Sequence, residues 1–131
     1  MRKSEIEGLE IREHRGEGCR RLIDGPKWTV AVLNYADRFD EAKFDTLERH
    51  LLTDETFVLL TGEATLLIGA DARRVPLEPL KVYNVKAGVW HQILVKPGTS
   101  VLIAENSDTA KTNSEYLDFR TASGRKGKQG K

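Results

Sequence analysis

Short runs of apolar, β-branched and aromatic residues recur along this chain, and turn-forming residues interrupt them about every ten positions. Runs of this length and composition are typical of β-strands rather than helices. The predicted strands cover residues 28–35, 56–61, 64–68, 73–77, 82–85, 89–95 and 100–105. A succession of short strands separated by turns predicts an all-β fold, an antiparallel sandwich or barrel.

The turns between these runs have residues with suitable backbone preferences. Gly62 separates the second run from the third, where a tight hairpin or a bulge favours glycine. Pro97 and Gly98 separate the last two runs; proline fixes φ at the second position of a turn and glycine accepts a positive φ at the third. Because no segment has a sustained helical stripe, we expect an irregular connection at residues 39–47 and a polar loop at residues 106–115.

Charge is unevenly distributed along the 131 residues. Residues 120–131 contain five basic side chains and no acidic one. Of the 21 basic and 20 acidic side chains in the whole chain, residues 1–119 therefore keep 16 and 20, a net charge of −4. An acidic surface repels phosphates, which argues against nucleic acid as a partner. The length predicts one domain over residues 1–119, followed by a basic tail too poor in apolar residues to pack.

Signals for targeting and redox chemistry are few. Cys19 is the single cysteine, which excludes an intramolecular disulfide and fits a reducing compartment. The charged N-terminal stretch has no apolar segment of the kind found in signal peptides. No run approaches the roughly 20 apolar residues that a membrane span needs. These features predict a soluble, cytoplasmic protein with no membrane partner.

Two of the three histidines lie near carboxylates on segments expected to be extended. Glu48 and His50 are two residues apart, so both side chains point to the same face of a strand. Glu55 begins the next strand, and alternation places His91 on one face with Ile93. If these strands line one barrel, two imidazoles and two carboxylates can converge. That set of ligands suits a borderline divalent metal such as Zn, Mn, Fe or Ni.

The spacing of these residues resembles the first motif of the cupin superfamily. That motif reads His-x-His, three or four residues, Glu, six residues, Gly. Here Glu48 stands at the position of the first histidine, while His50, Glu55 and Gly62 match the remainder. A carboxylate is a competent metal ligand, so the exchange at Glu48 is compatible with a metal site.

Residues 86–95 are similar to the second cupin motif, Pro-x-Gly-x-x-His with Asn four residues later. Gly88 and His91 match this pattern, whereas Lys86 and Val95 replace the proline and the asparagine. The two motifs lie within residues 48–95, and the pattern of strands extends the resemblance to about residues 28–119.

The resemblance implies an antiparallel double-stranded β-helix, the jelly-roll barrel of cupins. It also implies that the metal ligands are Glu48, His50, Glu55 and His91. Glu48 or Glu55 would act as an acid or base if it is not a metal ligand.

Apolar residues on the same strands indicate a pocket and a contact surface. Phe57 and Leu59 share the face of the predicted ligands, as does Ile93, and these three side chains are expected to form the apolar wall of a substrate pocket. Trp90 and Leu94 point to the opposite face. Because cupins commonly dimerise through their sheets, this outward pair predicts the surface of a homodimer.

Three functions remain open at this stage, because a fold alone does not choose a chemistry. The first is a metal-dependent protein that binds or converts a small oxygenated molecule, such as a sugar acid, a keto acid or another carboxylate. The second is a metal-free protein similar to the cupin ketoisomerases and epimerases of nucleotide-linked sugars, whose histidines act as acids and bases. The third is a cupin that binds a small ligand without catalysis.

Overall fold

The computed structural model describes residues 6–108 and 113–119. Ten strands are present in these ranges: β1 Gly18–Asp24, β2 Trp28–Asn34, β3 Thr46–His50, β4 Glu55–Thr61, β5 Ala64–Ile68, β6 Arg73–Pro76, β7 Tyr83–Val85, β8 His91–Val95, β9 Ser100–Asn106 and β10 Ser114–Asp118. Two short 3-10 helices, Asp37–Phe39 and Glu41–Lys43, connect β2 to β3. The irregular connection predicted over residues 39–47 is therefore correct only up to residue 45, because β3 begins at Thr46.

The strands form two antiparallel sheets of five strands each. The order in one sheet is β1-β2-β9-β4-β7, and in the other it is β10-β3-β8-β5-β6. Consecutive strands often lie in different sheets. For example, β3 and β4 belong to opposite sheets, as do β8 and β9. The predicted antiparallel all-β architecture is confirmed.

The main core lies between the two sheets. Its most deeply buried members come from strands of both sheets, and include Leu33, Phe57, Leu66 and Val101. Side chains in a strand alternate between its two faces, so each of these strands contributes alternate residues to the interior. The same alternation places the polar residues of the candidate site on the inner surface, beside the core.

A second, smaller core lies on the outer face of the sheet that contains β8. It consists of Leu47, Leu67 and Leu94, and Phe44 and Phe119 are among the side chains that pack against it. Leu94 is only 5% exposed, so it does not form the outward surface expected for it. The reason is that segments far apart in sequence fold over this face. The homodimer itself stays a prediction.

Trp90 also packs against the second core, where the guanidinium of Arg49 lies 4.4 Å from the centre of its ring. An arginine over the face of an indole is a favourable cation–π contact. Trp90 therefore has a packing role within the chain, and it points away from the candidate site.

The turn predicted around Pro97 is present. The Thr99 N–H donates to the Lys96 carbonyl at 3.2 Å, and Gly98 has a φ of 82°. Three of the ten strands lie outside the predicted ranges. β3 covers the segment of Glu48 and His50, which was expected only to be extended. β1 is largely polar and charged and, among the described strands, pairs with β2 alone, and β10 begins within the segment expected to be a polar loop. Edge strands of this kind have weak apolar alternation because only part of each strand contacts the core.

The predicted basic tail, residues 120–131, lies outside the described residues. Within the part of the chain that is described, no helix is both long enough and apolar enough to cross a membrane.

Candidate metal centre

Three strands bring the four predicted ligands together on the inner surface. Glu48 and His50 lie on β3, Glu55 begins β4, and His91 begins β8. Glu48 and His91 are direct partners in the pairing of β3 with β8. One ligand atom from each residue lies within 4.8 Å of those from the other three. His50, Glu55 and His91 are buried, whereas the Glu48 side chain is 29% exposed. These residues form a group that can hold a metal ion.

Distances within this group match those expected for ligands around one ion. The Glu55 Oε1 atom is 3.1 Å from His50 Nε2 and 2.9 Å from His91 Nε2. Glu48 Oε2 lies 4.0 Å from His91 Nε2. With metal–ligand bonds of about 2.1 Å, two ligands at right angles lie about 3.0 Å apart and two opposite ligands about 4.2 Å apart. Two of the three separations fall within this range, and the third, 2.9 Å, lies just below it.

The backbone fixes which nitrogen of His91 is free to bind a metal. The Nδ1 atom lies 3.0 Å from the Val89 carbonyl oxygen. A carbonyl can only accept, so Nδ1 carries the proton, and a neutral His91 has its lone pair on Nε2. That lone pair faces Glu55 Oε1, which is also an acceptor. The contact therefore requires a proton on one of the two groups or a cation bound by both atoms, and a cation site fits it.

His50 is oriented by a different strand. Its Nδ1 atom lies 3.0 Å from the Ser114 hydroxyl of β10, which leaves Nε2 directed at Glu55. The neighbouring Asn113 is fully buried, and its side-chain oxygen accepts a hydrogen bond from the Leu52 N–H at 2.7 Å. Hydrogen bonds to the second ring nitrogen are the usual means by which proteins orient metal-binding histidines. Strand β10 thus supports the site without contributing a predicted ligand.

Each of the four residues affects the ionisation of others in the group. Burial opposes the charge of Glu55, but hydrogen bonds from His50 and His91 lower its pKa to about 2. The hydrogen bond to Glu55 raises the pKa of His50. Burial opposes the charged form of His91, yet the hydrogen bond and charge of Glu55 raise its pKa as well. Burial, and then the Glu55 charge, raise the pKa of Glu48. A cation here would replace the protons held by the imidazoles.

A cavity of about 260 Å³ opens beside this group. Phe57 and Ile93, two of the three apolar residues predicted for the pocket wall, line it. Leu59 lies further along β4, is only 6% exposed, and packs in the main core instead of lining the cavity. A larger depression of about 530 Å³ lies elsewhere on the surface, but Arg74 in its wall is already paired with Glu41, at 3.0 and 3.1 Å.

One cavity residue of evident chemical interest was missed. Glu105, on β9, is directly paired with Glu55 on β4, and its Oε2 atom lies 3.6 Å from His50 Nε2. Burial, and then the charge of Glu55, raise the pKa of Glu105 to about 7. The signal was present in the sequence, since alternation from Val101 and Ile103 puts Glu105 on the inner face. Cys19 and Tyr116 also line the cavity.

No family model matches the chain, and no curated protein is similar to it. Solved structures do match its fold. A double-stranded β-helix protein from Klebsiella pneumoniae is 16% identical, with a TM-score of 0.59, over 90% of this chain and 96% of that one. A cupin 2 domain-containing protein from Halorhodospira halophila is 20% identical, with a TM-score of 0.52, over 80% and 72%.

A third similar structure is that of Pac13 from Streptomyces, a nucleoside dehydratase, solved with uridine. It is 11% identical to this chain, with a TM-score of 0.58, over 82% of this chain and 84% of Pac13. Likenesses at such low identity bear on architecture and not on activity. They confirm the predicted double-stranded β-helix: the chain has the cupin fold.

Proposed function

We propose that this cupin-fold chain binds one divalent metal ion through Glu48, His50, Glu55 and His91, and that the metal site holds a small oxygenated molecule in the adjacent cavity. The observation that carries the proposal is the 2.9 Å approach of His91 Nε2 to the Glu55 carboxylate, in a ring whose Nδ1 lies 3.0 Å from the Val89 carbonyl oxygen. A bound divalent cation supplies Lewis-acid polarisation of an oxygen atom of the ligand.

Charge and the type of ligand atom support this proposal. The carboxylates of Glu48 and Glu55 would neutralise a divalent cation, whereas the same two charges without a cation are costly to bury. Two imidazole nitrogens with two carboxylate oxygens suit Zn, Mn, Fe or Ni better than the harder cations Mg and Ca.

The surrounding residues have separate parts in the proposed site. Phe57 and Ile93 give the cavity an apolar wall that excludes water from the ligand. Glu48 is the most exposed of the four, and its pKa is raised by burial and by Glu55. A carboxyl group with these properties can exchange a proton with a ligand whenever it is not bound to the metal.

The size of the cavity favours a small ligand. Typical binding pockets for small molecules enclose about 300–1,000 Å³, and this cavity of about 260 Å³ lies just below that range. A nucleotide-linked sugar is therefore a poorer candidate than a single sugar, a nucleoside or another molecule of similar size. Pac13, with uridine, shows that a protein of this fold can hold a ligand of that class.

The proposal predicts that chelator-treated chain binds one equivalent of Zn²⁺ or Mn²⁺. At a free metal concentration of 100 times Kd, binding to the folded state alone stabilises a protein by about 2.7 kcal/mol, and Tm should rise by about 10 °C. Isothermal titration and thermal unfolding measure these two effects. Failure of Zn²⁺, Mn²⁺, Fe²⁺ and Ni²⁺ to bind or to raise Tm would overturn the metal proposal.

The affinity for Zn²⁺ should fall as the pH is lowered. In the metal-free chain the pKa values of His50 and His91 are raised, so below those values protons compete with the metal for Nε2. For each proton that the metal must displace, the affinity for Zn²⁺ falls by up to about tenfold per pH unit below the pKa of that histidine. Glu55, whose pKa is about 2, stays ionised and adds no such dependence. Titrations between about pH 6 and 8 in buffers of different ionisation enthalpy count the released protons; no proton release would contradict the assignment.

A metal-free acid–base site is the second candidate, and one observation favours it. Glu55 Oε1 is within hydrogen-bonding distance of both imidazoles, at 3.1 and 2.9 Å, so the array is internally satisfied when His91 is doubly protonated. Nitrogen-15 NMR of the imidazoles distinguishes the two candidates. Zn²⁺ should change the Nε2 signals of His50 and His91 if the metal site is correct, and leave them unchanged in the acid–base site. A ligand that raises Tm but is recovered unchanged would indicate binding without catalysis.

A further inference from the structure

One oxygen atom in the cavity wall has no hydrogen-bond partner. Among the described residues, one buried side-chain oxygen or nitrogen atom lacks a hydrogen-bond partner, and that atom is Glu105 Oε2. The Glu105 side chain as a whole is 16% exposed. Because nearly all buried polar atoms in proteins are paired, an unpaired one at a cavity wall indicates a group that pairs with something else.

The neighbours of Glu105 restrict what that partner can be. Its other oxygen, Oε1, lies 3.7 Å from an Arg21 nitrogen, and Oε2 lies 3.6 Å from His50 Nε2. Both distances exceed those of a hydrogen bond. Glu105 is also not a member of the four-residue group whose ligand atoms lie within 4.8 Å of one another. The unpaired oxygen therefore lies next to the candidate metal site, and it belongs to a residue that lines the adjacent cavity.

We propose that Glu105 is a ligand-binding residue, and that its Oε2 atom binds a hydroxyl group of a neutral, polyhydroxylated molecule whose other oxygen atoms reach the metal site. This inference rests on the proposed function and specifies the class of ligand. A hydroxyl group donates to an ionised carboxylate and accepts from a protonated one, so the pairing holds in either state of Glu105.

The charge of the cavity lining favours a neutral ligand. Three carboxylates, those of Glu48, Glu55 and Glu105, line the cavity, and among the described residues no lysine or arginine does. A divalent cation would offset two of these carboxylates and leave no excess positive charge to attract an anion. Phosphates and carboxylates are usually bound by arginine or lysine, which this wall lacks. The lining therefore favours a sugar, polyol or nucleoside over the carboxylates that the sequence suggested.

The test uses the Zn²⁺-loaded full chain and three probes: D-ribose, uridine and D-ribonate, which has the ribose skeleton with a carboxylate. Saturation-transfer NMR measures their binding to the wild type and to three variants. Glu105→Leu removes both oxygens, Glu105→Gln keeps an oxygen and an N–H, and Glu63→Leu is a control in the exposed turn between β4 and β5. Titration with Zn²⁺ is run in parallel on every variant.

We expect ribose and uridine to bind more tightly than ribonate. Glu105→Leu should weaken both neutral probes by about tenfold or more, since a buried hydrogen bond is lost. Glu105→Gln should weaken them less, and Glu63→Leu should have no effect. Zn²⁺ affinity should fall by less than tenfold in all three variants, because neither Glu105 nor Glu63 is a proposed metal ligand, and Glu105 lies beyond hydrogen-bonding distance of His50.

Several results would overturn this inference. They are tighter binding of ribonate than of ribose, failure of both neutral probes to bind, or equal probe binding by wild type and Glu105→Leu. If Glu105→Leu does not fold, the carboxyl-carbon NMR signal of Glu105 in the wild type decides the question, because it should shift when ribose is added. Failure of the wild type to bind Zn²⁺ would instead remove the proposed function, so the two failures are distinguishable.

Discussion

Replacing His91 by glutamine should lower the affinity of the chain for Zn²⁺ by at least about 100-fold, because the proposed site loses one of its four ligands and changes even to supporting residues cost 10–100-fold. The glutamine side chain has a similar reach but lacks the imidazole lone pair that faces Glu55. Isothermal titration of chelator-treated protein measures the loss. The variant should also lose most of the rise in Tm that Zn²⁺ causes in the wild type.

His14→Gln is the matched control for this experiment. His14 lies outside the cavity, where its Nε2 atom is 2.9 Å from the Gly18 carbonyl oxygen, so its loss should leave Zn²⁺ affinity unchanged. Circular dichroism of both metal-free variants separates a lost ligand from a lost fold. If His91→Gln binds Zn²⁺ as tightly as His14→Gln does, His91 is not a metal ligand.

Replacing Gly62 by alanine destabilises the fold by about 3 kcal/mol or more, from the combined cost of a strained backbone and an overpacked site. Gly62 has a φ of +82°, which side chains rarely adopt. A Cβ atom at this position would lie 2.3 Å from Thr99 Oγ1 and 2.6 Å from Thr99 Cα. Thr99 cannot easily move away, because it is buried and its hydroxyl bonds both the N–H and the carbonyl of Glu63.

Gly98→Ala separates the two contributions. Gly98 has the same φ of +82°, but a Cβ atom there would meet nothing within 4 Å. Its substitution should cost only the strain of the left-handed conformation, about 1–2 kcal/mol. Urea unfolding measures both variants. Equal destabilisation by the two substitutions would show that the contact with Thr99 has no energetic effect.

The parts of the fold that could be predicted from sequence are those in which local pattern and burial coincide. Strands β2, β4, β5 and β9 contribute alternate side chains to the core, and their apolar runs are visible in the chain. β1 lies at an edge, and its charged residues match no such run. Its existence depends on pairing with β2, which is a non-local property of the sheet.

The site was only partly predictable for a related reason. The spacing of His50, Glu55 and Gly62, together with the position of His91, marks the two motifs directly. Glu105 belongs to no motif. It lies at the site because β9 pairs with β4, which places Glu105 opposite Glu55. Similarly, alternation predicts that Leu94 points outward, but only the positions of distant segments decide whether an outward residue is exposed.

The two histidines of the site differ in the stage of chain synthesis at which their side chains can be oriented. His91 is oriented by the Val89 carbonyl two residues before it. His50 depends on Ser114, 64 residues further along. A nascent chain that has emerged only as far as β9 therefore contains every proposed ligand but cannot yet orient one of them. High-affinity capture of a metal should accordingly follow the joining of β10 to its sheet.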